Sequence, residues 1–93
     1  MGVRRRMRCR HLAEKLLQIR EALELSQTEL LHRLGVQDQL IRANVSSYEK
    51  GRTEPPLPVL LGYARLANVS TDVLIDDKLK LPKKLPAKAS RRN

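Results

Sequence analysis

The chain has no phenylalanine and no tryptophan, and Tyr48 and Tyr63 are its whole aromatic content. A core without large rings must be assembled from many aliphatic side chains. The leucine-rich pattern, with few alternating β-branched segments, predicts short packed helices: an all-α fold. A single cysteine, Cys9, excludes an intramolecular disulfide and predicts a reducing compartment. No run of 18 apolar residues occurs, so no membrane span is expected. The arginine-rich start leads into polar helix instead of the apolar segment of a secretory leader. The expected setting is therefore cytoplasmic, with no membrane partner. Four scattered glycines build no phosphate loop, and no repeat is visible. His11, His32 and Cys9 have neither zinc spacing nor the arrangement of a nucleophile with its base. Neither an enzyme nor a metal or other cofactor is expected, and 93 residues suffice for one small domain.

Positive charge is abundant but uneven. The net charge is +9, yet residues 1–10 hold five arginines and residues 78–93 hold seven lysines or arginines, without an acid in either segment. The centre is left with seven basic and ten acidic side chains and is slightly acidic. This divides the chain into a basic N-terminal arm (1–10), a domain (11–77) and a basic Lys/Pro-rich tail (78–93). Two solvated arms would give the same total charge, so the case for a nucleic-acid partner has to come from inside the domain.

Leu12, Leu16, Ile19 and Leu23 stack on one helical face and predict a first helix over 11–24. Ser26 and Glu29 form a capping-box pattern, flanked by Leu25 and Leu30, and Gly35 fits a left-handed helix end; the second helix is predicted over 27–34. Asp38 is the best available cap for a third helix from Gln39 to Lys50, ending at Gly51. Its inward face would be Ile41, Val45 and Tyr48, with Leu40 and Asn44 at the edge. Pro58 suits the first turn of a fourth helix with Leu57, Leu60, Leu61, Ala64 and Ala67 as its apolar stripe. Ser70 is expected to cap a short fifth helix over 71–76. Pro82 and Pro86 interrupt the tail, which is expected to be disordered or extended when free.

Two short helices joined across a glycine turn, after one helix and before two more, form a helix-turn-helix pattern. The chain resembles the lambda-repressor-like (XRE or Cro/repressor) proteins over roughly residues 11–77. The resemblance is carried by Ile19-Arg20, Leu25-Ser26-Gln27-Thr28-Glu29-Leu30, Leu34-Gly35-Val36, Val45 to Arg52, Pro55 and Leu66 to Ser70. It implies a compact five-helix DNA-binding domain with basic tails. One departure stands out: four extra residues lie between Gly35 and Val45 relative to the family spacing. They either lengthen the turn or add one helical turn to the third helix, and the second option is favoured because it keeps Ile41, Val45 and Tyr48 in phase.

The resemblance places Gln27 at the start of the second helix, where its amide and the free backbone N–H groups would hold a DNA phosphate. Arg42 is the cation in the middle of the presumed groove face and suits guanine; a solvated helix arginine is the alternative. Gln39, Ala43, Ser46 and Ser47 are further base-contact candidates whose short neutral side chains allow close approach. Asn44 either reaches DNA or makes an edge hydrogen bond. Lys50 and Arg52 are candidate phosphate clamps or ordinary surface charges. Arg20 and Glu49 occupy positions that, by the resemblance, form a largely buried structural salt bridge. Arg4, Arg5, Arg6, Arg8 and Arg10 are a second DNA-facing candidate. Leu79, Leu81 and Leu85 offer a docking strip for a protein partner or a second subunit.

The expectation is a sequence-specific regulator of transcription, most simply a repressor, bound as a homodimer to a palindromic double-stranded operator. The alternative is an antitoxin or adaptor that mainly binds a protein and autoregulates through DNA. Non-specific RNA or nucleoid binding by the arms is a third reading.

Overall fold

A computed structural model describes residues 7–85. Five helices follow one another: α1 (Leu12–Ala22), α2 (Gln27–Leu34), α3 (Arg42–Glu49), α4 (Leu57–Ala67) and α5 (Thr71–Ile75). Arg4, Arg5 and Arg6 of the basic arm, and the tail beyond Leu85, lie outside the described residues.

The helix ends follow from local chemistry where that chemistry is complete. At the start of α2 the Glu29 N–H donates to Ser26 Oγ at 3.0 Å and the Ser26 N–H donates to Glu29 Oε1 at 2.7 Å. Gly35 closes α2 at φ 74°, a left-handed conformation that costs glycine little. Its N–H reaches the His32 carbonyl and the Val36 N–H reaches the Leu31 carbonyl, the crossed pair of bonds that ends a helix cleanly. Gly51, at φ 76°, ends α3 in the same way: Gly51 N–H bonds Tyr48 and Arg52 N–H bonds Ser47.

The third helix departs from the expected span. Gln39 and Leu40 both donate backbone N–H groups to the Val36 carbonyl at 2.9 Å, closing a turn instead of entering a helix. Ile41 then adopts extended backbone, and Asn44 Oδ1 accepts its N–H at 2.9 Å. The four extra residues therefore lengthen the turn, α3 begins at Arg42, and Asp38 caps nothing. Val36 and Leu40 pack against the core and anchor this longer turn, the inward task expected of Ile41. Ile41 is 66% exposed. Asn44 is an edge residue that caps its own helix.

The core comprises Leu12, Leu16 and Ile19 of α1, Leu30 and Leu31 of α2, Val45 and Tyr48 of α3, and Val59, Leu60, Tyr63, Ala64 and Ala67 of α4, with Leu74 of α5. The α4 stripe is thus rotated from its expected phase: Val59 and Tyr63 face inward, whereas Leu57 is 79% exposed and Leu61 lies at the surface. Ser70 precedes α5 with extended backbone, but its side chain makes no capping hydrogen bond.

Residues 78–85 also depart from expectation. They form no helix, as Pro82 implies, yet Leu81 and Leu85 are buried in the core, where a tail disordered or extended when free was expected. Two reciprocal contacts tie this end of the chain to α1. Asp77 accepts the Arg10 and His11 N–H groups at 2.8 and 3.1 Å, satisfying donors at the start of α1. These bonds hold its carboxyl below the usual range. Buried Lys15 donates Nζ to the Val73 and Asp76 carbonyls at 2.8 and 3.1 Å, so a cation sits at the negative end of α5. No helix among the described residues is long and apolar enough to cross a membrane.

Candidate nucleic-acid interface

The candidate surface is set on an ion pair in the fold. Arg20 Nε donates to Glu49 Oε2 at 2.6 Å and Arg20 Nη2 to Glu49 Oε1 at 3.1 Å, a bidentate pair along one guanidinium edge that joins α1 to the end of α3. Side-chain exposure is 18% for Arg20 and 6% for Glu49, so water competes weakly for the pair. Arg20 Nη1 also donates to the Leu25 carbonyl at 2.9 Å, which fixes the chain just before α2. The hydrogen bonds to Glu49 hold the guanidinium pKa above its ordinary value. Tyr63 lies beneath this region, and burial, with Glu49 nearby, pushes its phenol above the ordinary range.

Gln27 extends the network. Its Nε2 donates to Glu49 Oε1 at 3.1 Å, so the same carboxylate that ties α3 to α1 orients the first side chain of α2. The second amide hydrogen and the amide oxygen are left to serve the surface. Sequence reasoning put Arg20 with Glu49 and Gln27 with DNA, but missed that the three share one carboxylate; Gln27 and Glu49 are 22 residues apart and no local pattern connects them.

Around Gln27 the surface forms a concavity of about 450 Å³ lined by Gln27, Arg42, Ala43, Ser46, Ser47 and Arg52. No carboxylate lines it. The α3 residues are those opposite buried Val45 and Tyr48, and Arg52 is drawn onto this face because its N–H is bonded to the Ser47 carbonyl. Thr53, which sequence reasoning passed over, donates its hydroxyl to Ser47 Oγ at 3.2 Å and restrains that side chain. Lys50 is exposed at the α3 end, outside the lining. Gln39 is exposed in the lengthened turn and also lies outside it.

Arg8 of the basic arm donates Nη2 to the Gly51 carbonyl at 2.8 Å, between Lys50 and Arg52 in the chain. Glu54 accepts the Cys9 N–H at 3.2 Å. Arg8 and Cys9 therefore lie beside the segment that follows α3. Cys9 is half-buried there, and burial, then Glu54 and Asp77, push its thiol up, away from reactive thiolate. Among the described residues no cluster of histidine, cysteine and carboxylate side chains could hold a metal.

A short helix held across a second one, its outer face small, neutral and cationic, defines a helix-turn-helix protein. The family model described as helix-turn-helix matches residues 16–74, from the core of α1 to the core of α5. The chain belongs to the lambda-repressor-like (XRE) helix-turn-helix family, a family of DNA-binding regulators. Comparison with the curated proteins and with the solved structures gave no significant match.

Proposed function

We propose that this protein is a sequence-specific transcriptional repressor that places α3 in the major groove of double-stranded DNA. The observation that carries the reading is the acid-free concavity lined by Gln27, Arg42, Ala43, Ser46, Ser47 and Arg52. Arg42, at the first position of α3, offers a two-pronged donor for guanine, Ala43 a methyl surface for thymine, and Ser46 and Ser47 short groups that donate or accept. Gln39 approaches from the turn and suits adenine. Gln27, with the free N–H groups opening α2, takes a backbone phosphate, and Lys50 and Arg52 hold phosphates at the other end of α3. Glu49 is the positioning residue behind Gln27.

A domain this small buries limited surface on one half-site, so the protein acts as a homodimer on a palindromic operator with half-sites about 34 Å apart. The test is selection of bound sequences from a random duplex pool at near-physiological salt. A palindrome with that spacing supports the reading. Binding without sequence enrichment, falling steeply with salt, refutes it in favour of arm-driven non-specific binding. The antitoxin or adaptor reading draws on the slightly acidic domain and on Leu79, Leu81 and Leu85 as a docking strip. Leu81 and Leu85 are taken up by the core, which leaves Leu79 alone at the surface.

A further inference from the structure

Ile41 is a large β-branched apolar side chain at the N-cap of α3, next to Arg42, and it is 66% exposed. Isolated surface aliphatics are ordinary, and Leu57 is one. What separates Ile41 is its position. An N-cap favours Ser, Thr, Asp or Asn, whose oxygen accepts a helix N–H that otherwise lacks a partner; isoleucine has no acceptor and ranks among the poorest caps. The local hydrogen bonds show the consequence. Asn44 Oδ1 reaches back to the Ile41 N–H at 2.9 Å, while nothing on Ile41 answers in the other direction.

Nor does the core receive the side chain. Val36 and Leu40 pack inward and pin the turn, and the buried face of α3 begins at Val45. The fold therefore gains no cap and little buried area from isoleucine at this place. The surroundings limit what its exposed methyls can meet. Arg42 and Ala43 follow immediately and line the acid-free concavity, and the start of a helix laid in the major groove is the part nearest the base edges. The apolar feature of that groove is the thymine 5-methyl group.

We infer that Ile41 is a specificity-determining residue whose exposed side chain covers the 5-methyl group of a thymine in each half-site. The inference rests on the reading of α3 as the base-reading helix, and adds a contact distinct from those of Arg42 and Ala43. The preference it creates is for thymine over any base lacking the methyl, and it comes from contact area, without a hydrogen bond.

The experiment uses the full chain and the operator recovered by selection, with each thymine replaced in turn by deoxyuridine, which removes the methyl and keeps base pairing. One thymine per half-site weakens parent binding about fourfold when its methyl is removed, the effect of burying one such group. In Ile41→Ser and Ile41→Ala that loss disappears at the same thymine, and losses at other thymines persist. The alanine variant adds no hydrogen-bonding group, so agreement between the two assigns the effect to lost apolar contact. If both variants keep the parent's full deoxyuridine profile, or no thymine methyl matters in the parent, Ile41 does not read thymine and the inference is overturned while α3 readout stands. If no operator is recovered, the base-reading role of α3 fails and the inference fails with it.

Discussion

Glu49→Ala removes the carboxylate that serves Arg20 and Gln27 together. The guanidinium then keeps the Leu25 carbonyl as an acceptor but loses its counter-charge in a position only 18% exposed. Breaking a buried pair from one side costs roughly 3–5 kcal/mol, and the residual exposure and remaining hydrogen bond of Arg20 place the loss near the lower end, about 3 kcal/mol. For a domain of this size that lowers the melting temperature by about 12–24 °C, read from helical circular dichroism on heating. The loss should hold at high salt, because a 6% exposed carboxylate is poorly screened. Glu14→Ala is the control: its pairing with His11 lies at the surface, with side chains 49% and 71% exposed, and the melting temperature should barely move. Replacing both partners with aliphatic residues should recover much of the stability, since the charge left alone is what costs. A Glu49→Ala protein melting within about 3 °C of the parent would refute the account of this network.

Three further outcomes follow from the contacts. Asp77 and Glu29 have folded pKa values held below their ordinary 3.8 and 4.5 by backbone hydrogen bonds, so their contribution is complete above those values and disappears as pH falls through the folded ones. Melting temperature should fall on acidification below about pH 4, and less so in Asp77→Asn with Glu29→Gln. Leu85→Ala, read by denaturant unfolding, should cost about 2–5 kcal/mol although it lies in the basic tail; a neutral result would place the segment outside the cooperative unit. Arg52→Ala should weaken binding to all duplexes alike and reduce the slope of log affinity against log salt by about 1, measured by fluorescence anisotropy; an unchanged slope would remove Arg52 from the phosphate contacts.

The parts of the fold legible in sequence are those whose chemistry is local. Ser26, Glu29 and Gly35 lie within one short segment and define both ends of α2, and the spacing of Leu12, Leu16 and Ile19 gives the α1 face. The start of α3 was not legible because the competition was decided elsewhere. Helical phase favoured Ile41 inward, but anchoring of Val36 and Leu40 on the core, and the Asn44 cap, made the turn the better use of four extra residues. The α4 stripe was misphased because Leu57 was counted as core, whereas Tyr63 supplies the inward bulk and Leu57 lies before the helix meets its neighbours. Leu81 and Leu85 were hidden by the lysines and prolines around them, a composition that describes free chain and carries no information about a nearby apolar groove. In the candidate site, Arg42, Ala43, Ser46, Ser47, Arg52 and Gln27 could be named from helix phase and resemblance. Their gathering round one concavity, and the Glu49 link behind Gln27, belong to tertiary structure.

The central claim is that α3 reads bases through Arg42. Its most direct measurement is the affinity of parent and Arg42→Ala for the selected operator with each base pair changed in turn. The account gives a mutant that loses discrimination at one position in each half-site, worth about 1–3 kcal/mol, and keeps it elsewhere. A mutant weakened equally on every sequence, with the parent's discrimination intact, would make Arg42 a phosphate contact and contradict the claim.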